Sequence, residues 1–380
     1  MRPAAPHTEA LNKFERVGLR WMLGYSKTDR PALSHWPEKV LKRIRRIERR
    51  TLIQASVLGG ISGLLFAMSE LGLQSWFGED REGFSEQLSY WAMFAFLGLL
   101  ISGAEIAVLY WRILRAVGSI GTHAGLDVDR GDTEKMIVLG ISRAALDMPN
   151  PRAEVHGVDP YSRLPRWKMI MYAVFYRLKV GATSMMIRMI LRRVLARAAL
   201  RSLIPFAAIA VYAFWNAVII WLILKQTRMR TAGPVAIKDL DELIRDDCPK
   251  LEEHERELLF EAIGESVILN QDAHPNYVLF LGQLLDRCNS EAEKIDGNWE
   301  ESKLKDANLS NTAKGVLLRC LTTATILRGS PRKDQVKFLE KVADILGRSF
   351  DGDALDQVQR NVYEGRGVNA ELLDAVTPEA

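Results

Sequence analysis

A single carboxylate lies inside a long apolar run of this chain and is the first candidate for chemistry. Glu105 falls within Ser89–Trp111, a stretch of otherwise mainly apolar residues. An ionised carboxylate among apolar side chains is costly unless it is paired, and such residues often serve a function. Two interpretations are open. Glu105 is a proton or ion site or the partner of an arginine, or it reaches solvent near the end of the run or is hydrogen-bonded by its neighbours.

A second set of charged residues shares one face of a predicted helix. In the region 167–202 the arginines recur at steps of four or five residues, which places them on one helical stripe. The stripe consists of Arg188, Arg192, Arg197 and Arg201, and Arg193 adjoins it in the sequence. Such a helix is typical of contact with an anionic membrane surface. Packing of the same arginines against the acidic C-terminal part of the chain is the alternative.

The other polar motifs give no catalytic or metal-binding constellation. The segment 254–258 (His-Glu-Arg-Glu-Leu) begins like a zinc-binding helix but has no second histidine four residues on. The acidic connector 125–134 lacks the glycine and glutamate positions of a calcium-binding loop. No phosphate-binding Gly-Lys-Ser/Thr loop and no nucleophile elbow occurs. We therefore predict a non-enzymatic protein with no cofactor and no metal.

The three cysteines, Cys248, Cys288 and Cys320, are widely spaced. They show neither zinc-ligand nor redox-motif spacing. We expect reduced, partly buried thiols in a cytoplasmic domain.

Two apolar stretches, 52–73 and 89–111, predict a transmembrane hairpin over 51–115. Each is long enough for a bilayer core, which needs about 20 apolar residues. The basic run before the first stretch contains Lys39, Lys42, Arg43, Arg45, Arg46, Arg49 and Arg50, whereas the loop between the stretches is acidic. Lys and Arg are retained on the cytoplasmic side, so the hairpin is expected to turn outside. A buried hairpin in a soluble core is the alternative.

Residues 1–50 are predicted to form basic amphipathic helices, and 116–232 a basic membrane-associated region with a third apolar segment at 203–224. Positive charge lies on both sides of this segment, which leaves its topology open. Either the region 167–191 forms a re-entrant or fourth crossing, or 203–224 forms a hairpin with its neighbour. Both arrangements keep the N- and C-termini cytoplasmic, and we predict a multi-pass protein of a bacterial-type inner membrane.

Residues 236–376 are predicted to form a soluble helical bundle. Apolar residues recur there with helical periodicity, and turn residues separate the segments. The alternation typical of strands is absent throughout the chain, so the predicted fold class is all-α. The composition, 48% hydrophobic and 26% charged, is close to a globular average and indicates much soluble mass beside the spans.

Two parts of the chain resemble known families. Residues 117–234 resemble EcsC-type proteins in the Gly-Leu-Asp-Val-Asp connector from Gly125, the Arg/Ala-rich helix from Arg192, Ile204-Pro205 and Asn216, although alanines replace the glycines expected after Pro205. Residues 236–370 resemble TerB-like helical domains in helix spacing and in the Ile-Asp-Gly turn at 295–297 followed by Glu300 and Glu301. The second resemblance implies a membrane-linked stress system, in which some members carry acidic metal sites, but it locates no metal here.

The leading functional hypothesis is a scaffold or sensor that holds the helical domain at the membrane for protein binding. Its expected partners are anionic membrane lipids and a protein bound by the C-terminal domain, with self-association possible. Nucleic acid is not expected, because the arginines lie beside apolar runs and no nucleic-acid motif occurs. The alternative is a transporter or channel component that uses Glu105 and the stripe Arg188–Arg201. A lipid-modifying enzyme would need a polar pocket that the sequence does not reveal.

Overall fold

The computed structural model of the chain describes residues 35–78, 83–125, 154–165, 167, 204–288 and 299–379. Within these ranges 77% of the residues are helical and no strand forms, which confirms the predicted all-α class. Two isolated backbone pairings, Val155 with Val158 and Arg348 with Glu379, are the β-type contacts of the described segments.

Three helices are much longer than the others and contain the apolar stretches. They are α1 (Glu38–Phe77), α2 (Phe84–His123) and α3 (Ile204–Leu243), each of 40 residues. Each is long and apolar enough to cross a membrane. Gly78, with φ of 77°, ends α1 in the left-handed conformation that glycine adopts without a steric penalty. The described part of the chain is therefore compatible with membrane association.

Two hydroxyl groups of α1 are satisfied by their own helix. Thr51 Oγ1 donates to Ile47 O at 2.8 Å, and Ser69 Oγ donates to Leu65 O at the same distance. A bilayer offers no water to these groups, so bonding back to the preceding turn lets them stay in an apolar helix.

After residue 243, the described residues form seven shorter α-helices. They are α4 (Glu253–Asn270), α5 (Pro275–Arg287), α6 (Glu301–Asp306), α7 (Asn311–Ile326), α8 (Lys333–Ile345), α9 (Gly352–Tyr363) and α10 (Ala370–Asp374). Side chains of Ser310, Asp351 and Asn369 accept hydrogen bonds from backbone N–H groups in the first turns of α7, α9 and α10. These residues cap the helix starts because the first four N–H groups of a helix lack intrahelical partners.

Helix α7 is the centre of this helical bundle and packs against α4, α8, α9 and α10. Its buried residues include Cys320, Leu321 and Ala324. The Tyr277 hydroxyl donates to Ala324 O at 2.8 Å and accepts from Gln335 Nε2 at 3.0 Å. These bonds satisfy buried polar groups that would otherwise destabilise the core.

Contacts divide the chain into two compact units. The first comprises Met1–Arg45, Val117–Leu164 and Lys225–Ala380, and the second comprises Arg46–Ala116 and Pro165–Leu224. The boundaries fall inside the three long helices, so the first unit includes residues at one end of each of them. The domain bounds expected from the sequence stay predictions.

Cys248 and Cys288 form a disulfide, with Cα atoms 4.9 Å apart and a sequence separation of 40. The expectation of reduced thiols is therefore wrong for this pair. Cys248 begins a short 3-10 turn and Cys288 follows α5, so only tertiary packing brings them together. Cys320 is free, and its burial raises the pKa of its thiol to about 12.

His274 is completely buried at the start of α5. Its Nδ1 accepts a hydrogen bond from Asn276 N at 3.3 Å and so caps the helix. Burial, together with the nearby guanidinium groups of Arg230 and Arg328, holds the pKa of His274 well below its usual range. The imidazole of His274 therefore binds a proton much less readily in the folded protein than in the unfolded chain.

We predict that His274→Asn reduces the loss of stability in mild acid. Above the unfolded-state pKa of about 6.5 the imidazole is neutral in both states, and below it only the unfolded chain gains the proton. Between pH 6.5 and 5.5 the wild-type free energy of unfolding should fall by about 1 kcal/mol more than that of the variant. Denaturant titrations of the full chain in detergent at both pH values measure this. Asn keeps a side chain that can cap the helix. Equal pH dependence of the free energy of unfolding in the two proteins would contradict a lowered pKa of His274 in the folded protein.

Candidate functional site

Glu105 is buried and hydrogen-bonded inside the second unit. The residue lies on α2 and is 8% exposed. Its Oε1 accepts a hydrogen bond from Asn216 Nδ2 on α3 at 2.6 Å, and both residues are buried. The structure thus provides a hydrogen-bond partner within the helix bundle. A proton, ion or arginine partnership of Glu105 stays a prediction.

Gly59 allows α1 to approach α3 next to this pair. A Cβ atom at Gly59 would lie 2.5 Å from the backbone oxygen of Tyr212 and 2.8 Å from Asn216 Nδ2. Real Cβ atoms do not approach backbone oxygen so closely, so only glycine fits without a shift of the helices. Phe66 then stacks on Tyr212, with ring centroids 5.9 Å apart. Glycine is therefore required here for contact with α3.

Glu105, Asn216 and Gly59 lie at a similar depth along their helices. The depth is taken as the distance along each helix to a basic residue near its end, which is Arg112 for Glu105, Lys225 for Asn216 and Arg50 for Gly59. At a rise of about 1.5 Å per residue, each pair is separated by roughly 10–14 Å along its helix. A hydrocarbon core is about 30 Å thick, so a crossing bundle would hold the polar pair near its middle.

A carboxylate beside a carboxamide has limited chemistry. The amide N–H donates to the ionised carboxylate, and the amide oxygen accepts from a protonated carboxyl group after rotation of the side chain. The pair can therefore hold one proton or join α2 to α3. Interhelical hydrogen bonds in membranes contribute about 0.6 kcal/mol on average, which is enough for a packing role without any transport.

The predicted arginine stripe is not part of this geometry. Arg188, Arg192, Arg193, Arg197 and Arg201 lie outside the described residues. Their roles toward anionic lipid or a partner stay predictions. The Ile-Asp-Gly turn at 295–297 and most of the EcsC-like segment lie outside the described residues as well.

Three acidic residues of the helical bundle form ion pairs with basic side chains. Glu265 forms an ion pair with Arg163, Glu261 with Lys303 at 2.7 Å, and Asp272 with Arg328 at 3.3 Å. In the segments that the structure describes, no three His, Cys, Asp or Glu side chains are grouped as metal ligands.

Asn216 is the functional candidate that sequence reasoning missed. It had been noted only within the EcsC-type resemblance, and its pairing with Glu105 depends on how α2 and α3 pack. One signal was present: the apolar stretches 89–111 and 203–224 each contain one strongly polar residue, seven to nine residues from the basic residue that follows the stretch. Polar residues inside apolar helices are most often paired with one another, so matching depths point to a contact.

We predict that Gly59→Ala lowers the free energy of unfolding by about 1–3 kcal/mol, because the added methyl group overpacks the contact with α3. Gly72→Ala is the matched control on the same helix, since a Cβ there meets no atom within 4 Å. The control should be neutral or slightly stabilising, as alanine favours helices over glycine by up to about 1 kcal/mol. Thermal or denaturant unfolding in detergent measures both. Equal stability of the two variants would show that α1 and α3 do not meet at Gly59.

Comparison of the chain with family models, curated proteins and solved structures finds no match. The geometry of the chain itself therefore carries the functional argument.

Proposed function

We propose that the chain is a non-enzymatic, multi-pass membrane protein that holds a cytoplasmic helical domain at the bilayer, where this domain binds another protein. One observation carries the proposal: residues at the basic ends of α1, α2 and α3 belong to the same compact unit as the C-terminal helices. A domain joined to its spans by a flexible linker would not share its packing with their ends in this way.

The N-terminal end of α1 packs into the first unit. Trp36 is 4% exposed, and its backbone N–H donates to Gly365 O at 2.8 Å. Gly365 has a φ of 66°, and a Cβ atom there would lie 2.0 Å from the Trp36 ring, so glycine is needed for the contact. His35 Nε2 lies 3.0 Å from Asp239 Oδ2, and Arg45 forms an ion pair with Glu364. Aromatic, polar and charged contacts therefore fix this segment in the unit.

The end of α3 is also part of the first unit. Arg228 Nε donates to Tyr363 O at 2.8 Å, and its guanidinium lies 4.4 Å from the centre of the Tyr363 ring. Met229 is buried in the core, and its backbone oxygen accepts from Asn276 Nδ2 at 3.1 Å. Arg228 and Met229 of α3 thus pack within the first unit, which supports a function that involves this end of the helix.

The proposed orientation places the first unit in the cytoplasm of a bacterial-type inner membrane. The basic residues around Arg46, Arg112 and Lys225 are near the ends of the spans that lead to this unit, whereas the loop after α1 is acidic. Residues 125 and 225 both belong to the first unit, so the chain between them crosses an even number of times. The fourth-crossing alternative for the region 167–191 stays a prediction, since that region apart from Trp167 lies outside the described residues.

The Cys248–Cys288 disulfide is the observation that would fit the opposite orientation. Disulfides are rare in the reducing cytosol and common outside it. The charge distribution around α1 and α2 decides the proposal. A topology measurement separates the two orientations.

We predict that reporter fusions after Gly83 and after Ala380 report opposite sides of the membrane. Alkaline phosphatase, which is active only outside the cytoplasm, should be active after Gly83, and a green fluorescent protein should fluoresce after Ala380. A fusion after Gly125 is the internal control and should behave like the one after Ala380, because both positions adjoin the first unit. Phosphatase activity after Ala380 would overturn the cytoplasmic placement.

The family resemblances are part of this proposal. We propose that residues 236–370 are a TerB-like domain and 117–234 an EcsC-like region, which would place the chain in a membrane-linked stress response. The continuous path from α3 into the domain core and the helical bundle around α7 are compatible with both.

The second candidate is a transporter or channel component. Its supporting observation is the buried Glu105–Asn216 pair, because intramembrane carboxylates commonly mark proton or ion routes. In this case the arginine stripe Arg188–Arg201 would line the same route.

A partner-retention experiment separates the two candidates. We predict that a protein co-purified at near-equal amount with the full chain from native membranes is lost when the chain ends before residue 236. Glu105→Gln is the matched control, because glutamine keeps an oxygen that can accept from Asn216 and removes only the charge. This variant should retain the partner and full biological activity.

Two results would contradict the scaffold proposal. One is recovery of the same proteins with the truncated and full chains. The other is loss of activity in Glu105→Gln with unchanged stability and partner retention, which would favour transport.

A further inference from the structure

We infer that the second unit binds one acyl chain of an anionic phospholipid in a groove between α1 and α2, with the phosphate held by Arg112. The inference rests on the membrane location in the proposed function, but it is independent of any protein partner. It assigns a lipid class to a defined site rather than a general attraction of the basic segments to the membrane.

The groove has a volume of about 270 Å³ and lies within the second unit. Its walls come from α1 and α2, with Ile220 of α3 at the base, and most of the lining side chains are apolar. The lining includes Val57, Ile61 and Val108, of which Val57 is 56% exposed. Whole drug-sized ligands occupy pockets of about 300–1,000 Å³, so this groove suits a single chain rather than a complete lipid.

The length of the groove matches one leaflet of a bilayer. Along α1 it extends from Thr51 to Ile61. At about 1.5 Å per residue this distance is roughly 15 Å, which is half of a hydrocarbon core of about 30 Å. An acyl chain that enters at the Thr51 end would therefore lie along the groove to the middle of the bilayer.

Polar groups occur at only one end of the groove. Arg112, Gln54 and Thr51 line this end, and Thr51 is occupied by its bond to Ile47 O. Arg112 Nη1 donates to Gln54 Oε1 at 3.5 Å, and the guanidinium lies 5.3 Å from the centre of the Trp111 ring. These contacts position a planar group with five N–H donors at the interface, where it can bind a phosphate with two parallel hydrogen bonds.

The surrounding charge favours an anionic headgroup. Arg49 and Arg50 immediately precede the groove on α1, and both are exposed. Basic residues near the surface attract anionic lipid, whereas a zwitterionic headgroup presents no net charge. The apolar lining favours an acyl chain and the neighbouring basic residues favour an anionic headgroup. Together they favour an anionic phospholipid.

Native mass spectrometry of the full chain with equimolar phosphatidylglycerol and phosphatidylcholine of identical acyl chains tests the site. The wild-type protein should retain phosphatidylglycerol preferentially as its first bound lipid. Arg112→Gln should lower this headgroup preference by about threefold or more, the size expected for one partly exposed charged contact. Arg115→Gln is the matched control, since it removes an exposed arginine of the same helix that does not line the groove.

A second pair of variants tests the apolar part of the site. Val57→Trp should fill the groove and reduce retention of the first lipid for both headgroups. Leu99→Trp is its control, because Leu99 is 72% exposed on α2 and lies outside the groove lining. Unfolding midpoints confirm that all four variants are folded.

The proposal is overturned by equal effects of Arg112→Gln and Arg115→Gln, by equal effects of the two tryptophan variants, or by no headgroup preference in the wild type. Each of these results would leave partner retention by the C-terminal domain unaffected, so failure of the lipid site is distinguishable from failure of the proposed scaffold.

Discussion

A bilayer interior offers no water to polar groups, so a polar side chain among apolar helices has to be satisfied by another part of the protein. In this chain the constraint acts on Glu105, whose carboxylate accepts a hydrogen bond from Asn216. That contact requires α2 and α3 to pack at one register, and the adjacent approach of α1 requires the absence of a side chain at Gly59. The arrangement of the long helices therefore depends on a few polar and small residues rather than on apolar packing alone.

The same helices provide the connection to the C-terminal bundle. Trp36 at the start of α1 and Arg228 on α3 both contact residues at the end of α9 and just beyond it. The proposed scaffold function rests on this sharing of residues, because these ends of the long helices and the C-terminal helices belong to one compact unit.

Much of the fold could be predicted from the sequence because helix formation and membrane crossing are expressed in local patterns. The long apolar stretches and the absence of strand alternation gave the three long helices and the all-α class correctly. The disulfide was missed for the opposite reason. Cys248 and Cys288 are separated by 40 residues, and no spacing rule applies to cysteines that only helix packing brings together.

The sequence by itself determined that Glu105 is an outlier, since one carboxylate in an apolar run is visible without any structure. Only the tertiary structure decided that Asn216 is its hydrogen-bond partner, that Gly59 faces α3, and that residues 35–45 belong with the C-terminal helices. Hydropathy and periodicity are properties of neighbouring residues along the chain. The choice of partner depends on helix register and rotation, which are set by the summed packing of residues far apart in sequence.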